Sequence, residues 1–135
     1  MGLVHAEIEL INVCDLYLAR KHEIGEEEIR KIRVLALVDS GSFETAINQN
    51  IQQYLQLPVI GRKIFVMADG TISELDIVSP LDVKFMDREV TTRAVVLPGD
   101  SEVLLGMIPL EAMDLIIDAK RQELIFKRPE WIMRL

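Results

Sequence analysis

The chain has 135 residues, half of them hydrophobic, and 15 basic against 22 acidic side chains give a formal charge of −7. A mean hydropathy of +0.22 with only 7 Gly and 5 Pro excludes a disordered, collagenous or low-complexity chain. The acidic balance argues against a phosphate-backbone ligand, so no nucleic-acid partner is expected, and the length predicts one domain over residues 1–135.

The 28 Ile and Val residues favour strands. Residues 3–18 are short apolar runs broken by Glu7, Glu9, Asn12 and Asp15, which predicts one long or two short strands with the single cysteine, Cys14, buried. Glu7 and Glu9 stand where a signal peptide needs its apolar stretch, and the run Val34-Leu35-Ala36-Leu37-Val38 is far below membrane-spanning length. The expectation is a cytoplasmic protein without membrane contact. Gly25-Glu26-Glu27-Glu28 reads as a turn and a solvated charge cluster. Residues 29–38 alternate and then become continuously apolar, as in a strand entering a core, and end at the polar turn Asp39-Ser40-Gly41-Ser42.

A helix is predicted over 48–57, capped by Asn48, with Ile51, Leu55 and Tyr54 on one face and Pro58 past its end. Residues 63–68 and 71–78 flank Asp69-Gly70, the pattern of a two-residue hairpin turn. A second hairpin is expected over 81–97, turning near Asp87-Arg88. Then come a loop at Pro98-Gly99-Asp100-Ser101, a short strand at Val103-Leu104-Leu105 ended by Gly106, and one helical turn over 109–113. Leu115-Ile116-Ile117-Asp118 and Glu123-Leu124-Ile125-Phe126 pair around residues 119–122, before a tail holding the single Trp131. Many short strands and close turns predict an all-β, barrel-like fold with one or two small helices.

The chemistry concentrates at Asp39-Ser40-Gly41: a carboxylate leaving an apolar strand, beside a hydroxyl and a glycine that permits close approach. Taken in order, Leu37-Val38-Asp39-Ser40-Gly41-Ser42, Thr45-Ala46-Ile47, a short helix, an Asp-Gly hairpin, Leu104-Leu105-Gly106 and Leu115-Ile116-Ile117-Asp118 resemble the retropepsin-like aspartic proteases. The likeness is to their small single-domain members outside retroviruses, and it runs from about Ile8 to Phe126. It implies a closed barrel-like fold with a flap hairpin, acting as a homodimer on a peptide or protein substrate with no cofactor. Asp39 matches the catalytic aspartate, Ser40 the hydroxyl that bonds across to the partner's loop, and Gly41 the glycine of the motif. Ser42 stands for the commoner Ala, and Leu104-Leu105-Gly106 matches the segment crossing behind the catalytic loop. Met67-Ala68-Asp69-Gly70-Thr71 lies where the flap tip belongs, without the glycine-rich tip or tyrosine of the viral enzymes. The expected substrate contacts are Ser42, Val66, Ala68, Asp69, Gly70, Ile72 and Leu97, with Pro98 beside them.

The mechanism that the resemblance implies needs two carboxylates, and the chain has one such motif. A second copy must then supply the other Asp39 across a two-fold axis. Such a dimer carries −14, twice −7, a field expected to disfavour acidic substrates at low salt. The alternative is a noncatalytic dimeric β-module that binds peptides or scaffolds a partner. No zinc site is expected from one Cys and the separate His5 and His22, and Asp69, Glu74 and Asp76 lack calcium-loop spacing.

Overall fold

The computed structural model describes residues 3–135. Strand β1 (His5–Asn12) alternates inward Ala6, Ile8 and Leu10 with outward Glu7 and Glu9, and pairs antiparallel with β2 (Lys31–Val38). The strand predicted to continue to residue 18 stops at Asn12, and α1 (Val13–Arg20) follows. The reason is a cap: the Asn12 carboxamide accepts from the Asp15 amide at 3.1 Å and donates to the Leu55 carbonyl at 2.8 Å. Buried Asp15 then bonds the Arg30 amide at 2.9 Å, tying the helix to the entry of β2. Cys14 lies on the outward face of α1 and is exposed, against the expectation of a buried thiol. The Glu26–Glu28 cluster is an exposed 3-10 turn.

After the Asp39 turn come β3 (Thr45–Asn48) and α2 (Gln49–Leu55). Asn48 caps α2, accepting from the Ile51 amide at 2.9 Å, and Ile51 and Leu55 form its buried face as the pattern predicts, whereas Tyr54, expected beside them, is exposed. Strand β4 (Val59–Val66) pairs with β5 (Ile72–Phe85), which pairs in turn with β6 (Arg88–Leu97). The two predicted hairpins thus share one 14-residue strand, bulged between Val78 and Leu81 where Pro80 interrupts the ladder. Strand β7 (Leu104–Leu105), α3 (Met107–Ala112) and the hairpin of β8 (Leu115–Asp118) and β9 (Glu123–Phe126) complete the chain.

The strand order is β1-β2-β7-β3-β6-β5, and β1 also pairs with β5 from Glu9 to Asn12, so six strands close on themselves. Strand β4 hangs outside this ring on β5. The interior is filled by Leu10, Ala36, Ile47, Leu81, Val83, Ala94 and Leu105, with Leu55 and Met113 contributed from α2 and the turn after α3. Among the described residues, no helix is long and apolar enough to cross a membrane.

The C-terminal tail is fastened to this body by two arginines. Arg88, 2% exposed, donates to the carbonyls of Met113, Asp114, Pro129, Glu130 and Ile132, and its guanidinium lies 4.5 Å from the centre of the Phe126 ring. Arg128 grips the buried Asp114 carboxylate at 2.5 Å, and the Arg134 amide reaches the same group. Trp131 projects outward. The Arg128 hydrogen bond holds the Asp114 carboxyl below the usual carboxylate range. Its ionised form is thus favoured by folding: the contribution is present above the unfolded value of about 3.9 and is lost as pH falls through the lower folded value. The protection of the Arg134 amide, taken as exchange relative to the intrinsic rate at each pH, is expected to fall below pH ~4, an acid step absent in Asp114→Asn.

Candidate active site

Asp39 is the first residue after β2, and its position is fixed from behind. Leu37 and Val38 run parallel to Leu104 and Leu105, and the Asp39 amide donates to the Leu105 carbonyl at 3.0 Å. The carboxylate folds back on its own turn: Oδ1 accepts from the Gly41 amide at 2.9 Å, while the Asp39 carbonyl accepts from the Ser42 amide at 3.1 Å. A Cβ at Gly41 would lie 3.2 Å from that oxygen, so glycine allows the carboxylate its close approach. Asp39 remains partly open to solvent, and Ser40 is exposed at the tip of the turn.

The loop that follows rests on Gly106. The Ser42 and Phe43 carbonyls accept from the amides of Met107 and Ile108 at 2.8 and 3.0 Å, and the Ser42 hydroxyl donates to the Glu44 carbonyl at 3.0 Å. A Cβ on Gly106 would stand 2.4 Å from the Glu44 carbonyl oxygen and 2.7 Å from that of Ser42. These are backbone atoms, so relief requires moving the loop that carries Asp39. Gly106→Ala is expected to destabilise the fold by about 2 kcal/mol, read as a lowered urea midpoint, and to loosen residues 39–44.

Across from Asp39 stands the β4–β5 hairpin. Its tip is a three-residue loop, Ala68-Asp69-Gly70, closed by Met67 and Thr71, rather than the two-residue turn expected from Asp-Gly. Gly70 takes the left-handed φ of +86° that this loop requires. Asp69 accepts from both the hydroxyl and the amide of Thr71, at 2.6 and 2.9 Å, and the hydroxyl bond foremost lowers its pKa. Glu74 and Asp76 face Arg62 at 3.3 and 3.0 Å, so the acids weighed as oxygen ligands are engaged with protein groups.

Between turn and hairpin lies a cleft of about 400 Å³. Of the residues singled out in the sequence, Asp39, Gly41, Ser42, Val66, Ala68 and Leu97 line it. Ser40, Asp69, Gly70, Ile72 and Pro98 do not: Asp69 and Gly70 occupy the exposed loop tip, and Ile72 points to solvent from β5. The apolar wall also takes in Phe43, Ala46, Phe65, Leu75 and Val95, none of them expected as contacts, and Met67 and Leu104, which the sequence placed in the flap tip and behind the catalytic loop but not in the cleft. Alternation from Leu97 would have found Val95, since strand residues two apart share a face.

Two acids line the cleft, Asp39 and Glu44. Arg93 on β6 forks onto Glu44, Nε to Oε1 at 3.1 Å and Nη2 to Oε2 at 2.6 Å. That hydrogen bond, with the charge of Glu44 behind it, raises the Arg93 pKa further above its ordinary value.

No protein-family model matches this chain, and no curated protein matches it. Among solved structures it is similar to the retroviral protease-like domain of Ddi1 from Leishmania major, with a TM-score of 0.59 and 15% sequence identity over 98% of this chain and 99% of that one. The fold is retropepsin-like, a mostly β architecture with three short α-helices among the described residues.

Proposed function

We propose, on the premise of this retropepsin-like fold, that the protein is an aspartic endopeptidase assembled from two copies. The observation that carries the proposal is the Asp39-Ser40-Gly41 turn, buttressed by Leu105 and opening on an apolar cleft beneath a hairpin. The other acid of the cleft, Glu44, is held by Arg93 in a fork that occupies both of its oxygens. A second working carboxylate is thus best supplied by Asp39 of another copy.

Two carboxyls about 3 Å apart share one proton, as is established for aspartic-protease dyads. The ionised member takes a proton from a water, whose oxygen attacks the scissile carbonyl carbon. The protonated member donates to the carbonyl oxygen and stabilises the oxyanion as it forms. Collapse expels the amine, which leaves with a proton from the dyad. Ser40, exposed at the tip of the turn, is placed in this reading to bond across to the partner's loop. The β4–β5 hairpin acts as the flap, and an extended peptide lies between it and Asp39, with Val66, Ala68 and Leu97 among its contacts. Ser42 contributes to the floor, while Asp69, Gly70 and Ile72 meet substrate only if the tip closes further. No cofactor takes part, and a cytoplasmic setting suits the unpaired cysteine.

The test couples oligomeric state to activity. Analytical ultracentrifugation and peptide cleavage are followed over the same dilution series. Specific activity is expected to fall as dimer dissociates; a monomer that cleaves at full rate rules the two-copy site out.

A further inference from the structure

Apart from Asp39 and Glu44, the cleft is walled by uncharged and mostly apolar groups, so beyond the reacting acid it is the state of Glu44 that governs what charge a ligand meets there. Glu44 is the more sheltered member of its pair, with 20% of its side chain exposed against 39% for Arg93. Arg93 lies on the same face of β6 as Val95 and Leu97, which line the cleft, so the guanidinium approaches Glu44 from the end of that row. The fork meets each carboxylate oxygen with its own N–H. A carboxylate matched in this way presents little net charge to a third group, whereas the same carboxylate stripped of its partner is a strong cation site in a partly dry wall.

We propose that the Glu44–Arg93 pair sets the charge preference of the cleft: with Arg93 engaged it takes a bulky apolar peptide side chain, and with Arg93 removed Glu44 takes a lysine or arginine instead. The inference rests on the reading of the cleft as a peptide site and names the side-chain class it accepts. It places Arg93 as a positioning residue that acts through Glu44 and touches no substrate.

The experiment separates binding from cleavage. Fluorescein-labelled peptides identical except for Leu or Lys at each position in turn are titrated by anisotropy against Asp39→Asn protein. The same titration is run with Arg93→Met added, and then with Glu44→Gln as well. Cleavage of the same peptides is measured in proteins that keep Asp39. At one position, Arg93→Met is expected to shift the Lys-to-Leu affinity ratio about tenfold toward Lys. Added salt should weaken that shift, and Glu44→Gln should cancel it. Circular dichroism checks that each variant is folded; if Arg93→Met is not, Arg93→Gln, which keeps a hydrogen-bond donor but no charge, takes its place. An unchanged ratio in a folded Arg93 variant, or a Lys preference that survives Glu44→Gln, overturns the proposal. A switch in binding without cleavage by any protein supports it while removing the proteolytic reading, and peptides that neither bind nor are cleaved remove both.

Discussion

Asp39→Asn is expected to lower peptide cleavage by at least about 10³-fold, because it removes both the base that activates water and the acid that steadies the oxyanion. The substitution exchanges one oxygen for an amide nitrogen of nearly equal size. The carboxamide oxygen can still accept from the Gly41 amide, the bond that shapes the turn. The Leu105 carbonyl and the Asp39 amide are untouched, so thermal midpoint and dimer content should stay close to the parent values. Activity is assayed across pH 3–8, a window that brackets ordinary and raised carboxyl pKa values. Mixing adds a sharper readout. When equal amounts of parent and variant exchange subunits, about a quarter of the dimers keep two aspartates. Activity per parent chain should then drop by about half, whereas independent monomers would show no drop. Unchanged cleavage by Asp39→Asn would end the proteolytic reading and favour the noncatalytic peptide-binding module.

The second large effect concerns stability. Arg88→Met is expected to cost about 3 kcal/mol, seen as a fall in the urea midpoint at constant slope. The guanidinium is buried and donates to five carbonyls. Those of Met113 and Asp114 belong to buried residues and lose their donor on substitution, while those of Pro129, Glu130 and Ile132 can return to water with the exposed tail. Methionine fills part of the volume and keeps contact with Phe126 but offers no N–H. Limited proteolysis should consequently nick the tail after residue 127 much faster than in the parent. Arg88→Lys retains the charge with a single donor head in place of a planar fork, and should fall between the two. A midpoint within experimental error of the parent would show that the tail does not depend on this cation.

Residues 48–55 and the place of the β4–β5 turn, though not its length, were legible because their determinants are local. Asn48 caps the amide three residues on, and Gly70 takes a backbone angle that a side chain resists. The same holds for the Asp39 turn itself, shaped by bonds that span two and three residues, although its footing on Leu105 is long-range. The misreadings have other causes. Asn12 caps α1 through the same three-residue bond that Asn48 uses, yet it stands inside an apolar run that continues β1, so its neighbours read as strand; the helix that follows turns Cys14 outward. Arg88, at the predicted turn, resembles an ordinary solvated arginine until the tail folds over it. Ile72 and Leu97 are equally apolar, yet Leu97 lines the cleft while Ile72, opposite Val66 beside the hairpin tip, is left to solvent; composition alone does not separate them.

By itself the sequence determined the strand-rich class, the order of the turns, and the acid at the end of an apolar strand, since these follow from side-chain periodicity and contacts a few residues long. Tertiary structure alone decided that β1 closes the ring against β5, that Glu44 meets Arg93 across 49 residues, and that Phe65, Met67, Leu75 and Leu104 wall the space before Asp39. Such pairings depend on the register of strands far apart in the chain. A slip of one residue would turn every side chain to the other face, so no short window of sequence can specify them.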